Sequence, residues 1–384
     1  PGNICAMLIH KLIAEEFPLD ENIVYLNHAA VSPWPLRTAY AVKAFAEENT
    51  RVGAKNYIDW LNKETELRGQ LQRLINAPSI DDIALLKNTS EALSVVAEGV
   101  NWRPGDNIVS SNEEFPSNRF PWLAQAKKGV EFREVDIATE FPAQVIIDAC
   151  DKRTRLITIS SVQFGTGRRV DLKVIGQFCS ANNILFCVDA IQSLGALPFD
   201  VQSINADFVM ADAHKWMLGP EGIALFYSKA AARDLLELHQ FGWHMVKDAG
   251  NYDVKDWRVA ETAQRFECGS PNMLGIHAFS ASLSLIEEVG IEHISNAIIS
   301  NVSYLIDNLR KINGLSFISS VETSQLSGIV TFNIEATNMA DTYSKLMQNK
   351  VVCAHRSGGI RFSPHFYTDQ NKIDTSLDIL LSII

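Results

Sequence analysis

Short apolar runs alternate with helical patterns from about residue 81 to residue 228, and this alternation constrains the fold more than any other feature. The runs are rich in β-forming residues and nearly continuous in apolar character, as strands covered on both faces of a sheet should be. Repeated strand–helix units predict an α/β fold with a mostly parallel, doubly wound, seven-stranded sheet, whose ligand crevice lies beyond the carboxyl ends of the strands. The predicted strands are 83–87, 107–111, 130–135, 156–162, 184–189, 208–212 and 223–227.

The pattern changes after Gly269, where long helical patterns precede shorter strand-like segments. The helical patterns cover 274–289 and 291–309, and a last helix begins at about Asp374. This order of elements predicts a smaller α+β domain packed against the first. We expect a large domain over 30–260 and a small domain that combines 1–29 with 261–384. The strand-like segments of the small domain are 316–321, 328–334, 351–355 and 360–363.

Composition and charge narrow the class of function. The chain has 384 residues and a net charge of −11, with its acidic residues spread along the sequence. Because there is no basic run, we expect neither nucleic acid nor a membrane surface as a partner, and no stretch approaches the length of a membrane span. The six cysteines form no C-x-x-C pair. We therefore expect no metal site and no disulfide framework, with reduced thiols in the cytoplasm.

One lysine, Lys215, stands just past a predicted buried strand, in the segment Ala-His-Lys-Trp-Met-Leu-Gly-Pro at 213–220. A lysine seldom occupies such a position without a partner. Burial would lower the pKa of its amine and make it a usable nucleophile and base. On local context alone, a surface lysine explains the segment equally well.

A carboxylate, Asp189, ends the strand predicted at 184–189, one strand–helix step before Lys215. On its own, an aspartate at a strand end is more often a turn or capping residue. Its position suits a second role, because pyridoxal 5′-phosphate (PLP) needs an anion at its ring nitrogen to serve as an electron sink. Gln192 follows closely, and a polar residue at a helix start explains it on local grounds.

Two small hydroxylated residues, Thr89 and Ser90, stand where the strand at 83–87 gives way to a helical pattern at 91–100. Simple capping of the helix explains them. They also suit a phosphate site, because a helix N-terminus presents free N–H groups and the positive end of the helix dipole. The two roles are compatible.

With these segments the chain resembles the fold-type I PLP enzymes of the class V aminotransferase group, which includes cysteine desulfurases, selenocysteine lyases and isopenicillin N epimerase-like proteins. The resemblance runs from Tyr-Leu-Asn-His-Ala-Ala at 25–30 to Arg-Phe-Ser-Pro-His at 361–365, and it makes 30–260 the PLP-binding domain. It implies that Lys215 carries PLP as a Schiff base, that Asp189 pairs with the pyridinium nitrogen and that Gln192 reaches the ring hydroxyl. By the same likeness, the phosphate is held by Thr89, Ser90 and His214.

The resemblance also assigns the substrate and a partner subunit. Arg361 matches the arginine that pairs with the α-carboxylate of an amino-acid substrate, a task that suits a planar bidentate fork. Asn27 and His28 belong to the matching N-terminal segment and are assigned to substrate binding. Ser270, within 266–272, matches a residue that reaches the phosphate of a partner subunit, which implies a homodimer with shared active sites.

Several positions depart from the desulfurase pattern. Desulfurases carry a nucleophilic cysteine just before the carboxylate-binding arginine, but this stretch contains none here, and we expect Cys353 upstream to be a buried structural thiol. Phe115 replaces the histidine that covers the ring and supplies a π face without proton transfer. Asp212 stands where serine is common near the phosphate, and we expect it to point elsewhere. Gln163 is a further residue that could face the cofactor.

These assignments predict an enzyme in which Lys215 removes the α-proton of an amino acid bound to PLP. Elimination from a β-sulfur or β-selenium substrate and transamination rank nearly level, because Lys215 suffices as the base for both. Epimerisation ranks third, since it needs a second base on the opposite face. A non-catalytic protein that keeps PLP as a structural ligand is the alternative from another class. The joint presence of Lys215, Asp189 and Arg361 argues against that alternative.

Overall fold

A large central sheet organises the chain in a computed structural model, which describes residues 6–253 and 255–384. The strands are β1 Val24–Tyr25, β2 Ile83–Leu86, β3 Asn107–Ser111, β4 Glu131–Val135, β5 Thr154–Ser160, β6 Leu185–Asp189, β7 Phe208–Asp212, β8 Ala224–Ser228, β9 Leu315–Phe317, β10 Val330–Ile334, β11 Val351–Val352, β12 Ala354–Arg356 and β13 Gly359–Phe362. The helices are α1 Ala6–Glu16, α2 Leu36–Val52, α3 Tyr57–Ile75, α4 Thr89–Gly99, α5 Phe120–Leu123, α6 Pro142–Asp148, α7 Leu172–Asn182, α8 Ala230–Arg233, α9 Met273–Val289, α10 Ile291–Leu309, α11 Met339–Gln348 and α12 Gln370–Ile383.

The large sheet has seven strands in the order β2-β8-β7-β6-β5-β3-β4. β8 runs antiparallel to its neighbours β2 and β7, and the other neighbouring pairs are parallel. Each of the predicted strands of this sheet is present, with ends that differ from the prediction by at most two residues. The prediction of a mostly parallel, seven-stranded α/β sheet is therefore confirmed.

Both faces of the large sheet are covered, which explains why its strands are nearly continuous in apolar residues. In β6, Phe186 and Val188 pack into one hydrophobic cluster, whereas Cys187 between them belongs to the cluster on the opposite face. Helix α7 covers the first face through residues such as Ile175, and α4 covers the second through residues such as Leu93.

The carboxyl ends of β5, β6 and β7 lie side by side at one edge of the large sheet. Ser160, the last residue of β5, is paired with Asp189, the last residue of β6. Asp189 is in turn paired with Met210, two residues before the end of β7 at Asp212. Parallel strands carry the side chains that follow them to a common edge, so residues distant in sequence meet there.

A second sheet, with the order β12-β13-β10-β9 and antiparallel neighbours, lies in the C-terminal part of the chain. β1 pairs in parallel with β11, so the N-terminal segment joins this part of the fold. Helix α9 packs against α2 and α3.

The domain limits, 30–260 on one side and 1–29 with 261–384 on the other, stay a prediction.

The strand predicted at 351–355 is wrong in detail. It divides at Cys353, because β11 pairs with β1 while β12 turns to pair with β13. The strand predicted at 316–321 is also shorter, because β9 pairs with β10 only from Leu315 to Phe317.

The two long helices α9 and α10 are the most apolar of the chain's long helices. Among the residues that the structure describes, no single helix has both the length and the apolar composition of a membrane span. Taken together, α9 and α10 have the length and apolar composition of a span, but the two helices are bent by 82° where the first ends and the second begins.

Candidate active site

A cavity of about 230 Å³ opens at the carboxyl edge of the large sheet, and we call it the Lys215 cavity. It collects side chains from the ends of β6 and β7, the start of α4 and the β12–β13 hairpin. Most of the residues predicted for the site meet here, although their individual roles stay predictions. The lining residues are Ala29, Ala30, Thr89, Ser90, Phe115, Ser117, Phe164, Asp189, Ile191, Gln192, Asp212, His214, Lys215, Arg356 and Arg361.

Lys215 reaches the cavity from a tight turn that follows β7. The N–H of Gly219 donates to the carbonyl of Ala213 at 2.8 Å, and a side chain at position 219 would meet Ala213 and Phe279 at 3.0 Å or less. The lysine is only 9% exposed. Burial lowers the pKa of its amine, an effect that the anion of Asp189 opposes. A lysine in this setting has a larger share of free amine near neutral pH than an exposed one.

Asp189 supplies a buried carboxyl group to the floor of the cavity. It ends β6, and its Oδ1 accepts a hydrogen bond from the N–H of Ile191 at 3.0 Å. Burial raises the pKa of this carboxyl well above its ordinary value, and the nearby anion of Glu114 adds to that effect. A cationic group against Asp189 would restore its ionised form, which is what a protonated pyridine nitrogen offers.

Gln192 is held between two parts of the site. Its Nε2 donates to the carbonyl of Ala29 at 3.0 Å, and its Oε1 accepts from the indole N–H of Trp216 at 2.8 Å. A primary amide has two N–H donors, so one amide hydrogen is left for a ligand. The structure thus fixes the orientation of this side chain at the cavity wall.

The start of α4 forms one end of the cavity. Asn88 caps this helix by accepting a hydrogen bond from the N–H of Glu91 at 2.8 Å. The N–H and the hydroxyl of Thr89 both donate to Oδ1 of Asp212, at 2.5 Å and 3.1 Å, and Ser90 contacts Ser117 at 2.7 Å. The N–H groups of Thr89 and Glu91 therefore already have acceptors within the protein, while the positive end of the helix dipole at this point still favours an anion.

The expectation that Asp212 points away from the site is wrong. Its carboxyl group lines the cavity, holds Thr89 and lies 3.4 Å from Nδ1 of His214. The physical reason is that the first N–H groups of a helix have no partner within the helix, and a carboxylate satisfies them well. Burial raises the pKa of Asp212 to about 6.

Arg361 extends from β13 into the cavity and is 2% exposed. Its Nη1 donates to the carbonyl of Phe164 at 2.7 Å, while its Nε has no hydrogen-bond partner. No carboxylate among the described residues lies within ion-pair distance of it. Burial, and then the neighbouring Arg356, lower the pKa of this guanidinium to about 9. A buried guanidinium without an anion is costly, so the site is suited to receive one.

Asn27, His28 and Ser270 do not line the cavity. The imidazole of His28 is fully buried, and its nitrogens lie 2.7 Å from the Ser363 carbonyl and 2.7 Å from the Tyr367 hydroxyl. These contacts hold the His28 ring against the C-terminal part of the chain, and the assignment of His28 to substrate binding stays a prediction. Asn27 bridges to Ser363, and the following alanines, 29 and 30, form the wall instead. Ser270 is exposed outside the cavity.

Gln163, which could have faced the cofactor, does not line the cavity. It is fully buried behind the cavity wall and donates to Oε1 of Glu114 at 2.7 Å. Glu114 is buried too, and it accepts further hydrogen bonds from Ser111, Asn118 and Ser160. This network fixes the backbone that leads into Phe115.

Phe164 lines the cavity, although it was not among the residues predicted for the site. Its ring meets that of Phe115 edge to face, with centroids 5.1 Å apart, and its carbonyl binds Arg361. A signal was present, because Phe164 directly follows Gln163, which the sequence indicates as a residue that could face the cofactor. The chain turns at Phe164, which lines the cavity, whereas Gln163 is buried outside the cavity lining.

None of the described cysteines lines the Lys215 cavity. Cys353 is 2% exposed, and burial raises the pKa of its thiol to about 12. Cys5 lies outside the described residues. The prediction of a buried Cys353 is therefore confirmed, and its thiol is not in the ionised form that acts as a nucleophile.

Nearly the whole chain matches one family. The chain belongs to the class V aminotransferases, whose family model covers residues 24–375. It is thus a PLP-dependent enzyme of fold type I, as the resemblance implied.

Several relatives within this family are similar over nearly the whole chain. A probable cysteine desulfurase of Methanothermobacter thermautotrophicus is 31% identical, with 94% of each chain covered. The apo cysteine desulfurase of Thermococcus onnurineus has the same fold, with a TM-score of 0.86, 23% identity and 97% of each chain covered. The cystine C–S lyase C-DES, solved with its product cysteine persulfide, has a TM-score of 0.88 at 22% identity over 95% of this chain and 99% of its own.

Proposed function

We propose that this enzyme cleaves a C–S bond of a sulfur-containing amino acid by β-elimination, without a thiol of its own as sulfur acceptor. The observation that carries the proposal is a cavity that joins Lys215, Asp189 and Arg361 but has no cysteine among its described lining residues. The names of the relatives, cysteine desulfurase and cystine lyase, support sulfur amino acids as the substrate class.

The side chains of the cavity fit PLP in their chemistry. Lys215 would hold its aldehyde carbon, Asp189 its ring nitrogen, and the N-terminal end of α4, with its positive helix dipole, its phosphate. His214 adds a buried Nδ1 without a hydrogen-bond partner, and Phe115 adds an aromatic face. When bound, PLP supplies an electron sink that stabilises negative charge at the α-carbon of an amino acid.

Lys215 is the proton carrier of the proposed reaction. Burial lowers the pKa of its amine, so Nζ can exist as the free base that accepts the α-proton. The same Nζ can then deliver that proton to the departing sulfur as the Cβ–S bond breaks, and the sulfur keeps the bonding electron pair. No second base is needed, because one proton moves between two atoms of the same substrate.

Arg361 is the residue that orients the substrate. Its Nε is free, and its buried guanidinium lacks an anion among the described residues, so an α-carboxylate would complete its contacts. Arg356 lines the same cavity from the exposed tip of the β12–β13 hairpin and provides a second cation there.

The departing sulfur has no protein acceptor in this arrangement. Cys353 is buried and its thiol is held protonated by a raised pKa, and it is not among the lining residues. Sulfur would therefore leave as sulfide from cysteine or as cysteine persulfide from cystine. The remaining carbon skeleton, an enamine, would take up one water molecule and leave as a 2-oxo acid and ammonia.

Product analysis tests the proposal. Holoprotein would be incubated with cysteine, with cystine and with alanine, and the assay would quantify sulfide or persulfide, ammonia, pyruvate and alanine. Elimination predicts equal amounts of pyruvate, ammonia and released sulfur, with no product in the Lys215→Ala control. Alanine as the main product from cysteine would instead indicate desulfuration through a protein thiol. A 2-oxo acid that retains its sulfur would indicate transamination.

A homodimer with a shared site is part of the proposal and rests on the resemblance. Ser270 is exposed and lies outside the cavity of its own chain, as a residue that serves a partner subunit would. Light scattering should give twice the monomer mass of 42.7 kDa. A monomer with full activity would contradict this part of the proposal.

A further inference from the structure

The phosphate end of the cavity already contains a carboxyl group. Asp212 Oδ1 accepts both the N–H of Thr89 at 2.5 Å and its hydroxyl at 3.1 Å, and the Thr89 hydroxyl also accepts the N–H of Asp212 at 3.1 Å. These contacts tie the end of β7 to the start of α4 across 123 residues of sequence. The carboxyl group thus occupies the donors that the phosphate of PLP would be expected to use.

The charged surroundings do not favour two anions at this point. Around Asp212 lie Lys215 and His214 on the following turn, Glu221 before β8, and Asp189 at the end of β6. From α4 the facing groups are the uncharged N–H and hydroxyl of Thr89. Lys215 is the one strong cation here, and burial lowers the pKa of its amine, so its positive charge is reduced near neutral to mildly basic pH. An ionised Asp212 and a phosphate dianion would therefore repel each other in a partly buried place.

We propose that Asp212 is a cofactor-binding residue that takes up a proton when PLP binds and then donates the resulting O–H to a phosphate oxygen. The proton comes from solvent, and no bond other than O–H is formed or broken. The proposal rests on PLP as the cofactor and is independent of the reaction that follows. A carboxylic acid is a strong hydrogen-bond donor to an anion, so the side chain changes from a competitor of the phosphate to one of its ligands.

The burial of Asp212 makes this proton uptake accessible near neutral pH. Burial raises its pKa to about 6 before any phosphate arrives, and a phosphate dianion beside it would raise the pKa further. Above that value, the protonated fraction of the free protein falls about tenfold per pH unit, and the affinity for the phosphate ligand should fall with it.

Calorimetry on the apoprotein tests this directly. The ligand is pyridoxine 5′-phosphate, which has no aldehyde and cannot react with Lys215, and pyridoxine is the control without phosphate. Titrations in buffers of different ionisation enthalpy count the protons taken up on binding. They are made at pH 8, where a phosphate monoester is already a dianion because its second pKa is about 6. The variants are Asp212→Asn, which keeps the shape and a donor, and Asp212→Ser.

On binding pyridoxine 5′-phosphate, the wild-type protein should take up about one proton more than either variant. On binding pyridoxine, the wild-type protein and the variants should take up the same number of protons. Between pH 7 and pH 8.5 its dissociation constant should rise about tenfold per pH unit relative to that of Asp212→Asn. Equal proton uptake in wild type and variants would overturn the proposal, as would a difference that persists with pyridoxine. If neither variant folds, the wild-type protein is compared with the two ligands. Equal proton uptake with pyridoxine 5′-phosphate and with pyridoxine would then contradict the proposal, because the proton would not depend on the phosphate. A failure here leaves the elimination reaction untouched, since no amino acid is present.

Discussion

Lys215 and Phe115 face each other across the cavity, with Nζ of the lysine 5.6 Å from the centroid of the phenylalanine ring. The lysine comes from the turn after β7, whereas Phe115 follows β3, so two different strands set this distance. The buried network around Glu114 fixes the backbone just before Phe115. The space between amine and ring is thus held by the sheet itself, which suits a planar ligand attached at one side and stacked on the other.

Replacing Asp189 by Asn should slow turnover by about 100-fold or more, because a catalytic electrostatic contact is lost. The amide is isosteric and keeps a partner for the N–H of Ile191, so folding should be preserved. Steady-state kinetics of the holoprotein, with PLP content measured by absorbance, provide the test. An unchanged kcat at full PLP occupancy would remove Asp189 from the mechanism.

The same substitution should change how the stability of the apoprotein depends on pH. The pKa of Asp189 is raised in the folded state, so between about pH 4 and neutrality the folded chain binds more protons than the unfolded chain. The free energy of unfolding therefore falls as pH rises through this window. In Asp189→Asn the contribution of this group is absent, so the free energy of unfolding should fall less between pH 5 and pH 7. Thermal unfolding of both proteins at pH 5 and pH 7 measures it. If Asp189→Asn stabilised the protein relative to wild type more at pH 5 than at pH 7, the result would contradict this prediction.

Arg361→Lys should weaken amino-acid binding by about 1.5–3 kcal/mol, because the charge remains but the bidentate fork is lost. The absorbance of the holoprotein without substrate should barely change, since the arginine is assigned to the substrate. Spectroscopic titration with an amino acid gives the affinity, and Arg356→Lys at the exposed hairpin tip is the matched control. If Arg361→Lys binds as well as wild type while Arg356→Lys does not, the carboxylate is held at the hairpin tip.

Cys353→Ser should retain most of the sulfur release. The thiol is buried and protonated, and a hydroxyl in its place should lower stability by about 1–3 kcal/mol if it finds no partner. Cys179→Ser, also buried but in α7, is the control for the cost of a buried hydroxyl. A large loss of sulfide with Cys353→Ser alone, at normal PLP content, would restore a persulfide mechanism.

The sequence placed the strand-end residues of the site well, because a strand's burial pattern fixes where it ends. Asp189 ends one predicted buried strand and Lys215 follows another, and the order of strands in a doubly wound sheet brings such ends together. The directions of Asp212 and His28 could not be obtained this way. Each is set by a contact distant in sequence, to Thr89 in one case and to Ser363 and Tyr367 in the other. Local sequence carries no information about such partners.

Covalent mapping of the cofactor tests the central claim most directly, namely that the Lys215 cavity is the PLP site. Holoprotein would be reduced with borohydride, digested and analysed by mass spectrometry, with Lys215→Ala treated in parallel. We expect the reduced pyridoxyl phosphate adduct on the peptide that contains Lys215, and an Ala variant that binds PLP only weakly, without an adduct and without turnover. An adduct on another lysine, or an unmodified Lys215 in an active holoprotein, would contradict the account.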